Sequence, residues 1–215
     1  MIKIGIDFSL NSPSLTIQYE NGEYEFHSFF NDEGRNFIQS GLKKHQLHKK
    51  LRIEKLCNMH PYTREELSKD YVIEQRQKMR QADMIAHEIV SFLCLKFPMR
   101  SVENIRIAIE GFAFNSKGAA SIDLIMYNSF LRRDLINEFP VECIVIVPPT
   151  QAKKLAGKGN ADKNYMIKAF MDNKLDDANL AKTKLWNFIK DYPMDEKHIK
   201  PVDDIIDSYF ILNCI

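Results

Sequence analysis

Four carboxylates stand where an unpaired charge is costly. Asp7 closes the alternating run Ile2-Lys3-Ile4-Gly5-Ile6, and Glu110 closes Ile105-Arg106-Ile107-Ala108-Ile109. Asp204 and Asp207 lie three apart in the apolar stretch that ends the chain. Strand side chains repeat every two residues, so Asp7 shares a face with Gly5 and Glu110 with Ala108, each acid two positions beyond a very small residue. Helix positions i and i+3 share a face, so Asp204 and Asp207 project together. If the two strands are neighbours and the last helix crosses their ends, the four acids converge, and buried like charges demand cations. Oxygen donors without His or Cys select Mg²⁺ or Mn²⁺. Two such ions would balance four charges, and a pair roughly 3.5 to 4 Å apart activates water and stabilises the leaving oxygen in phosphodiester hydrolysis. Singly, each acid has an ordinary account: Asp7 capping a turn, Glu110 pairing with an Arg, Asp203 and Asp204 favouring a helix N-terminus.

The elements that must position these acids are legible in outline. Residues 2–8 and 14–20 alternate as strands, Asn21-Gly22 is a strong hairpin signal, and residues 23–30 return as a third strand. Residues 31–62 are polar and poorly periodic, a loop with partial helix. Thr63 and Glu66 form a capping box for a long helix ending before Pro98, with Met79, Ala82, Ile85, Ala86, Ile89, Val90 and Leu93 at helical spacing. A strand at 105–112, a helix at 121–139 and a strand at 141–147 imply a parallel crossover. Helices are expected at 161–171, at 177–190 and from Pro201 to the end. The fold class is α/β: three antiparallel strands followed by parallel ones, with helices on both faces.

Composition narrows the class. The 215 residues are 45% apolar and 27% charged, the profile of a single globular domain. No apolar run is long enough to span a membrane, and an acid stands where a signal peptide would be apolar, so the chain is expected in the cytoplasm. Four cysteines without metal or disulfide spacing read as reduced core residues. Thirty Lys and Arg against 29 Asp and Glu leave a net charge of +1, so no global basic field points to nucleic acid. Locally, six of the thirteen residues from Lys43 to Lys55 are cationic, Lys43, Lys44, Lys49 and Lys50 among them. A charge run of this kind either meets phosphate or is simply a solvated face.

The acidic blocks resemble the RuvC-type Holliday junction resolvases of the RNase H-like fold. Ile4-Gly5-Ile6-Asp7 followed by Ser9 is similar to that family's opening strand, Ile107-Ala108-Ile109-Glu110 to its second acidic strand, and Asp204-Ile205-Ile206-Asp207-Ser208 to its closing Asp-x-x-Asp helix. Residues 147–163, Val-Pro-Pro-Thr-Gln-Ala-Lys-Lys-Leu-Ala-Gly-Lys-Gly-Asn-Ala-Asp-Lys, are similar to its Pro-x-x-Val-Lys…Gly-x-Gly-x-Ala-Asp-Lys segment. The resemblance implies one RNase H-like nuclease domain over 1–215 that cleaves four-way DNA junctions as a homodimer. It implies two Mg²⁺ ions per subunit, replaceable by Mn²⁺, held by Asp7, Glu110, Asp204 and Asp207. Lys163 is implied as catalytic support, with Lys153 or Lys154 second.

Physically, Gly157 and Gly159 let backbone approach phosphate, with Lys153, Lys154, Lys158 and Lys163 beside it; a solvated lysine loop uses the same residues. The sequence departs from the family pattern in a basic insertion at about 31–80 and in aromatics that straddle the expected wedge position, Phe112 and Phe114, either of which suits base stacking or, for Phe112, the core. The insertion suggests a phage-encoded or viral branch. The stripe from Ala82 to Leu95, with Phe92 and Leu93, serves either a dimer face or the core. Other functions weighed are a nuclease of the same fold acting on flaps, forks or RNA–DNA hybrids, an actin-like kinase, which eight glycines and one domain fit poorly, and an inactive DNA-binding scaffold, disfavoured by four intact acids.

Overall fold

The computed structural model describes residues 1–9, 12–31, 43–98, 104–112, 119–191 and 200–215; the side chains at 43–46 and 119–120 are not described. Strands β1 (Ile2–Asp7), β2 (Ser14–Gln18), β3 (Tyr24–Asn31), β4 (Asn58–Tyr62), β5 (Ile105–Glu110) and β6 (Ile144–Val147) form one mixed sheet in the order β4-β3-β2-β1-β5-β6. The first three are antiparallel neighbours, and β5 joins β1 in parallel with Gly5 opposite Ala108 and Ile6 opposite Ile109. Asp7 and Glu110 therefore follow the last paired residues at the same end of adjacent strands. This is the mixed α/β arrangement expected from the sequence.

Alternation along β1 and β5 sorts their side chains between two cores. Ile4, Ile6, Ile107 and Ile109 pack beneath helices α2 (Tyr71–Lys96) and α3 (Ala119–Glu138). Ala108 faces the opposite layer, built from α1 (Lys43–Ile53), α4 (Pro149–Ala156), α5 (Lys163–Met171), α6 (Lys184–Asp191) and α7 (Val202–Leu212). Helix α7 crosses β1 and β2 directly. It is buried nearly all round, with Val202, Ile205, Ile206, Tyr209, Phe210 and Leu212 in the core and its acids gathered toward the N-terminal half. Polar pins fix its position. Thr16 and Ser208 hydroxyls pair at 2.7 Å, and Tyr209 donates to Asp177 at 3.2 Å, where Tyr24 also donates at 2.5 Å.

Four local expectations change. The long helix starts at Tyr71, capped by Asp70, whose carboxylate accepts from Ile73 N at 3.0 Å, rather than at a Thr63/Glu66 box. Residues 65–68 instead lie back along α2, latched by glutamines: Gln77 and Gln81 donate to the carbonyls of Glu66 and Glu65, each at 3.0 Å. Within the expected loop 31–62, Asn58–Tyr62 adds a parallel edge strand, where Pro61 is tolerated because an edge position spares it a ladder bond. Helix α4 spans residues where no helix was expected, and the expected helix at 177–190 is a 3₁₀ turn at Leu180–Lys182 followed by α6. Of the Ala82–Leu95 stripe, Ala82 to Leu93 face the core and Phe92 packs against the rings of His27, His60 and Phe29, so that part is not a free dimer face, whereas Leu95 is exposed. None of the four cysteines is in a disulfide among the described residues. No helix among the described residues is long and apolar enough to cross a membrane.

Candidate active site

The acids meet where α7 passes the ends of β1 and β5. One carboxylate oxygen from each of Asp7, Asp204 and Asp207 lies within 4.8 Å of the others. Glu110 lines the same cleft, of about 700 Å³, together with Ser9, Lys153, Lys163 and Lys200. Two small residues make this possible. Gly5 and Ala108 form a floor on which α7 rests, and any larger side chain at Gly5 would meet α7 backbone.

Crowding and burial shift the acids upward. Burial, followed by the charges of Asp204, Asp207 and Glu110, holds the Asp7 carboxyl well above the ordinary carboxylate range, with Lys200 opposing. Burial raises Glu110 against the pull of Lys153 and Lys163. Asp207 is pushed up to about 7 by burial, against Lys163 and with the charges of Asp204, Glu110 and Asp203. These are carboxyls that lack sufficient positive charge, the state in which a divalent cation is best accommodated.

Besides Lys153, two lysines of the cleft pair directly with acids of α7. Lys163, first residue of α5, is set by its N-cap Asp162, which accepts from Tyr165 N at 2.8 Å. It donates to Asp203 and lies 3.6 Å from Asp204. Desolvation alone would lower Lys163, but Asp203 and Asp204 outweigh it and hold the ammonium above its usual value. Lys200 spans both oxygens of Asp204, at 2.7 and 2.6 Å, and lies 3.8 Å from Asp203. Ser9, at 3.2 Å, and Ser12 donate hydroxyls to the same carboxylate.

Asp203 and Lys200 were missed as site residues. The available signal was spacing: Lys200 stands three and four residues before the two acids, the separation at which opposite charges on a helix meet.

The other expected residues divide. Lys153 lines the cleft, whereas Lys154 is exposed beside Gly159 and Lys158 lies over the Tyr165 ring at 4.4 Å. Gly157 ends α4 at φ 132°, where a Cβ would also lie 2.6 Å from the Tyr165 hydroxyl, so local folding alone accounts for this glycine. Phe112 is half-buried with the Arg132 guanidinium stacked 3.9 Å from its ring centre, while Arg132 donates to the Glu110 carbonyl at 3.0 Å. Phe114 lies outside the described residues. Lys49 and Lys50 are exposed on α1 and do not line the cleft; Lys50 is 4.0 Å from Glu54 and 4.9 Å from the Phe188 ring centre. Lys43 and Lys44 begin the same helix.

Compared with solved structures, the chain is similar to that titled Thermus thermophilus RuvC, with 12% identity, 100% of this chain and 96% of that chain covered, and a TM-score of 0.40. It is also similar to T. thermophilus RuvC in complex with Holliday junction substrate, with 10% identity, 98% and 92% coverage, and a TM-score of 0.41. No family model matches the chain, and no curated protein matches it.

Proposed function

We propose that this chain is a RuvC-like, Mg²⁺-dependent endonuclease that cuts four-way DNA junctions. The observation that carries the reading is the convergence of Asp7, Asp204 and Asp207 within 4.8 Å in a cleft shared with Glu110 and Lys163. The donor set fits the metal: carboxylate oxygens, with no His or Cys among the described residues lining the cleft, suit a hard cation, with Mn²⁺ as a substitute. Asp7, Glu110, Asp204 and Asp207 would hold it, and two ions would offset their four charges. Bound there, divalent ions would supply an activated water and charge neutralisation at the leaving oxygen.

The chain's own groups do the rest. Lys163 and Lys153 offer ammonium groups to the non-bridging oxygens of the scissile phosphate, and the hydroxyls of Ser9 and Ser12 fix the orientation of Asp204. Phe112, braced by Arg132, offers a ring face for an unpaired base at the junction. Two matched cuts in a two-fold symmetric junction call for an isologous homodimer. With the Ala82–Leu93 stripe committed to the core, the exposed Leu95, Ile122, Ile125 and Ile136 of α2 and α3 are where a second copy would seat.

The test is incubation of purified protein with four-way junction, fork, nicked and linear DNA in Mg²⁺, with the products mapped. Paired symmetric nicks in the junction are expected. Preferential cutting of the fork over the junction would assign the site to a different nuclease of this fold.

A further inference from the structure

Among the acids of the cleft, Asp204 is distinguished by how thoroughly its oxygens are already used. Its side chain is 2% exposed. Oδ2 receives Ser9, Ser12 and Lys200, and Oδ1 receives Lys200 at 2.7 Å with Lys163 at 3.6 Å. A carboxylate offers about four lone-pair sites, so an incoming cation cannot simply be added to this set. One donor has to leave. The serines are short side chains held by backbone close to β1 and β2, whereas Lys200 is 34% exposed on a long flexible stem.

A destination for that ammonium is built in beside it. Asp203 Oδ2 lies 3.8 Å from Lys200, and Asp203 Oδ1 is buried without a hydrogen-bond partner. A buried, unsatisfied carboxylate oxygen is a costly thing to retain unless something comes to it.

Resting on the reading that the cleft takes a divalent cation, we infer that Lys200 is a resident competitor for that cation: it occupies Asp204 in the metal-free protein and moves toward Asp203 when the ion enters. Lys200 thereby lowers metal affinity while sparing the empty centre its self-repulsion. It acts as a positioning residue through Asp204 and Asp203.

The experiment is calorimetric titration of the full-length protein with Mn²⁺ alone, without DNA, for wild type, Lys200→Met, Lys200→Gln, Lys200→Arg, Lys153→Gln and Asp207→Asn. Removing the charge in Lys200→Met and Lys200→Gln is expected to tighten Mn²⁺ binding by at least ~10-fold, as deletion of a contacting ammonium should. Lys200→Arg retains the charge and should bind no more tightly than wild type. Lys200→Gln keeps a hydrogen bond to Asp204, so it serves if Lys200→Met does not fold. Binding by both neutral variants within two-fold of wild type would overturn the inference. An equal gain in Lys153→Gln, which lines the cleft but does not pair with Asp204, would also overturn it by reducing the effect to general charge. Asp207→Asn should bind weakly. If wild type and every variant fail to bind Mn²⁺, the metal-centre reading itself falls and the inference with it, whereas wild-type binding unaffected by position 200 defeats the inference alone.

Discussion

Gly5 on β1 faces the backbone of Ser208 on α7 so closely that a Cβ at residue 5 would lie 2.2 Å from the Ser208 carbonyl oxygen, and 2.6 Å from the amide nitrogen of Leu212. Both obstacles are backbone, which cannot rotate away as a flexible side chain can. The missing methyl thus sets the height of α7 above the sheet, and with it the separation of Asp204 and Asp207 from Asp7.

Gly5→Ala should therefore cost roughly 2 to 3 kcal/mol or more, at or beyond the upper range of overpacking a core, read as a lower urea midpoint. Cleavage should fall with it, because lifting α7 separates the acids. Ala108→Gly, on the paired strand, should cost only about 0.5 to 1 kcal/mol. A Gly5→Ala protein as stable as wild type would show that α7 is not seated on this contact.

The raised acids make the metal-free protein less stable as pH rises. A carboxyl whose folded pKa exceeds its unfolded value binds more protons when folded, so its contribution to stability is full below the unfolded pKa and is lost as pH climbs toward the folded one. For Asp207 that window runs from the ordinary carboxylate range up to about 7. Asp207→Asn should accordingly raise the metal-free thermal midpoint by on the order of 5 °C at pH 8, by less at pH 5, and by little only below about pH 4, where the carboxyl is neutral in the folded and the unfolded chain alike. Glu25 acts oppositely: hydrogen bonds from His27, Lys96 and Tyr19 hold it below the usual carboxylate range despite burial, so its contribution is lost only in acid. A midpoint gain for Asp207→Asn that is independent of pH would contradict the assignment.

Much of this arrangement was legible because the relevant signals are local and periodic. The alternation of β1 and β5, their terminal acids and the i, i+3 pair of α7 anticipated the convergence of the acids on the condition that the two strands are neighbours, which they are. What escaped notice depends on contacts between distant segments. The Thr63/Glu66 pattern is a genuine capping signal, but the glutamines of α2 hold residues 65–68 outside the helix, which only tertiary structure reveals. The β4 strand carries Asn58, His60 and Pro61 and shows no apolar alternation, because an edge strand need bury little. Phe92 is exposed or buried according to whether His27 and His60 lie opposite, and no helical periodicity specifies that.

Ca²⁺ should support junction binding without cutting. It accepts the same oxygen ligands at longer distances and in looser geometry, and so neutralises the centre without aligning the reaction as Mg²⁺ would. The check is a gel-shift assay in Ca²⁺ followed by product analysis of the same samples. Rapid cleavage with Ca²⁺ as the only divalent ion would argue against the proposed chemistry.

Helix α1 supplies the prediction most independent of the cleft. Each phosphate neutralised adds roughly 0.9 to the slope of log affinity against log salt. Changing Lys43, Lys44, Lys49 and Lys50 together to Gln should weaken junction binding and flatten that slope by up to about 3 to 4 per subunit, with little change in cleavage rate at saturating protein. An unaltered slope would take α1 off the DNA surface and favour a protein partner for the insertion.

The central claim is that the carboxylates around Asp7 perform the cutting rather than the binding. Its most direct measurement is the single-turnover cleavage rate of a four-way junction in Mg²⁺ by wild type and by Asp7→Asn, Glu110→Gln, Asp204→Asn and Asp207→Asn, each at a protein concentration shown to saturate the DNA. The account predicts a rate loss of at least ~100-fold in every variant, the scale for removing charge stabilisation from a reaction centre, with junction affinity retained. A correctly folded Asp7→Asn protein that cuts the junction at the wild-type rate would contradict it.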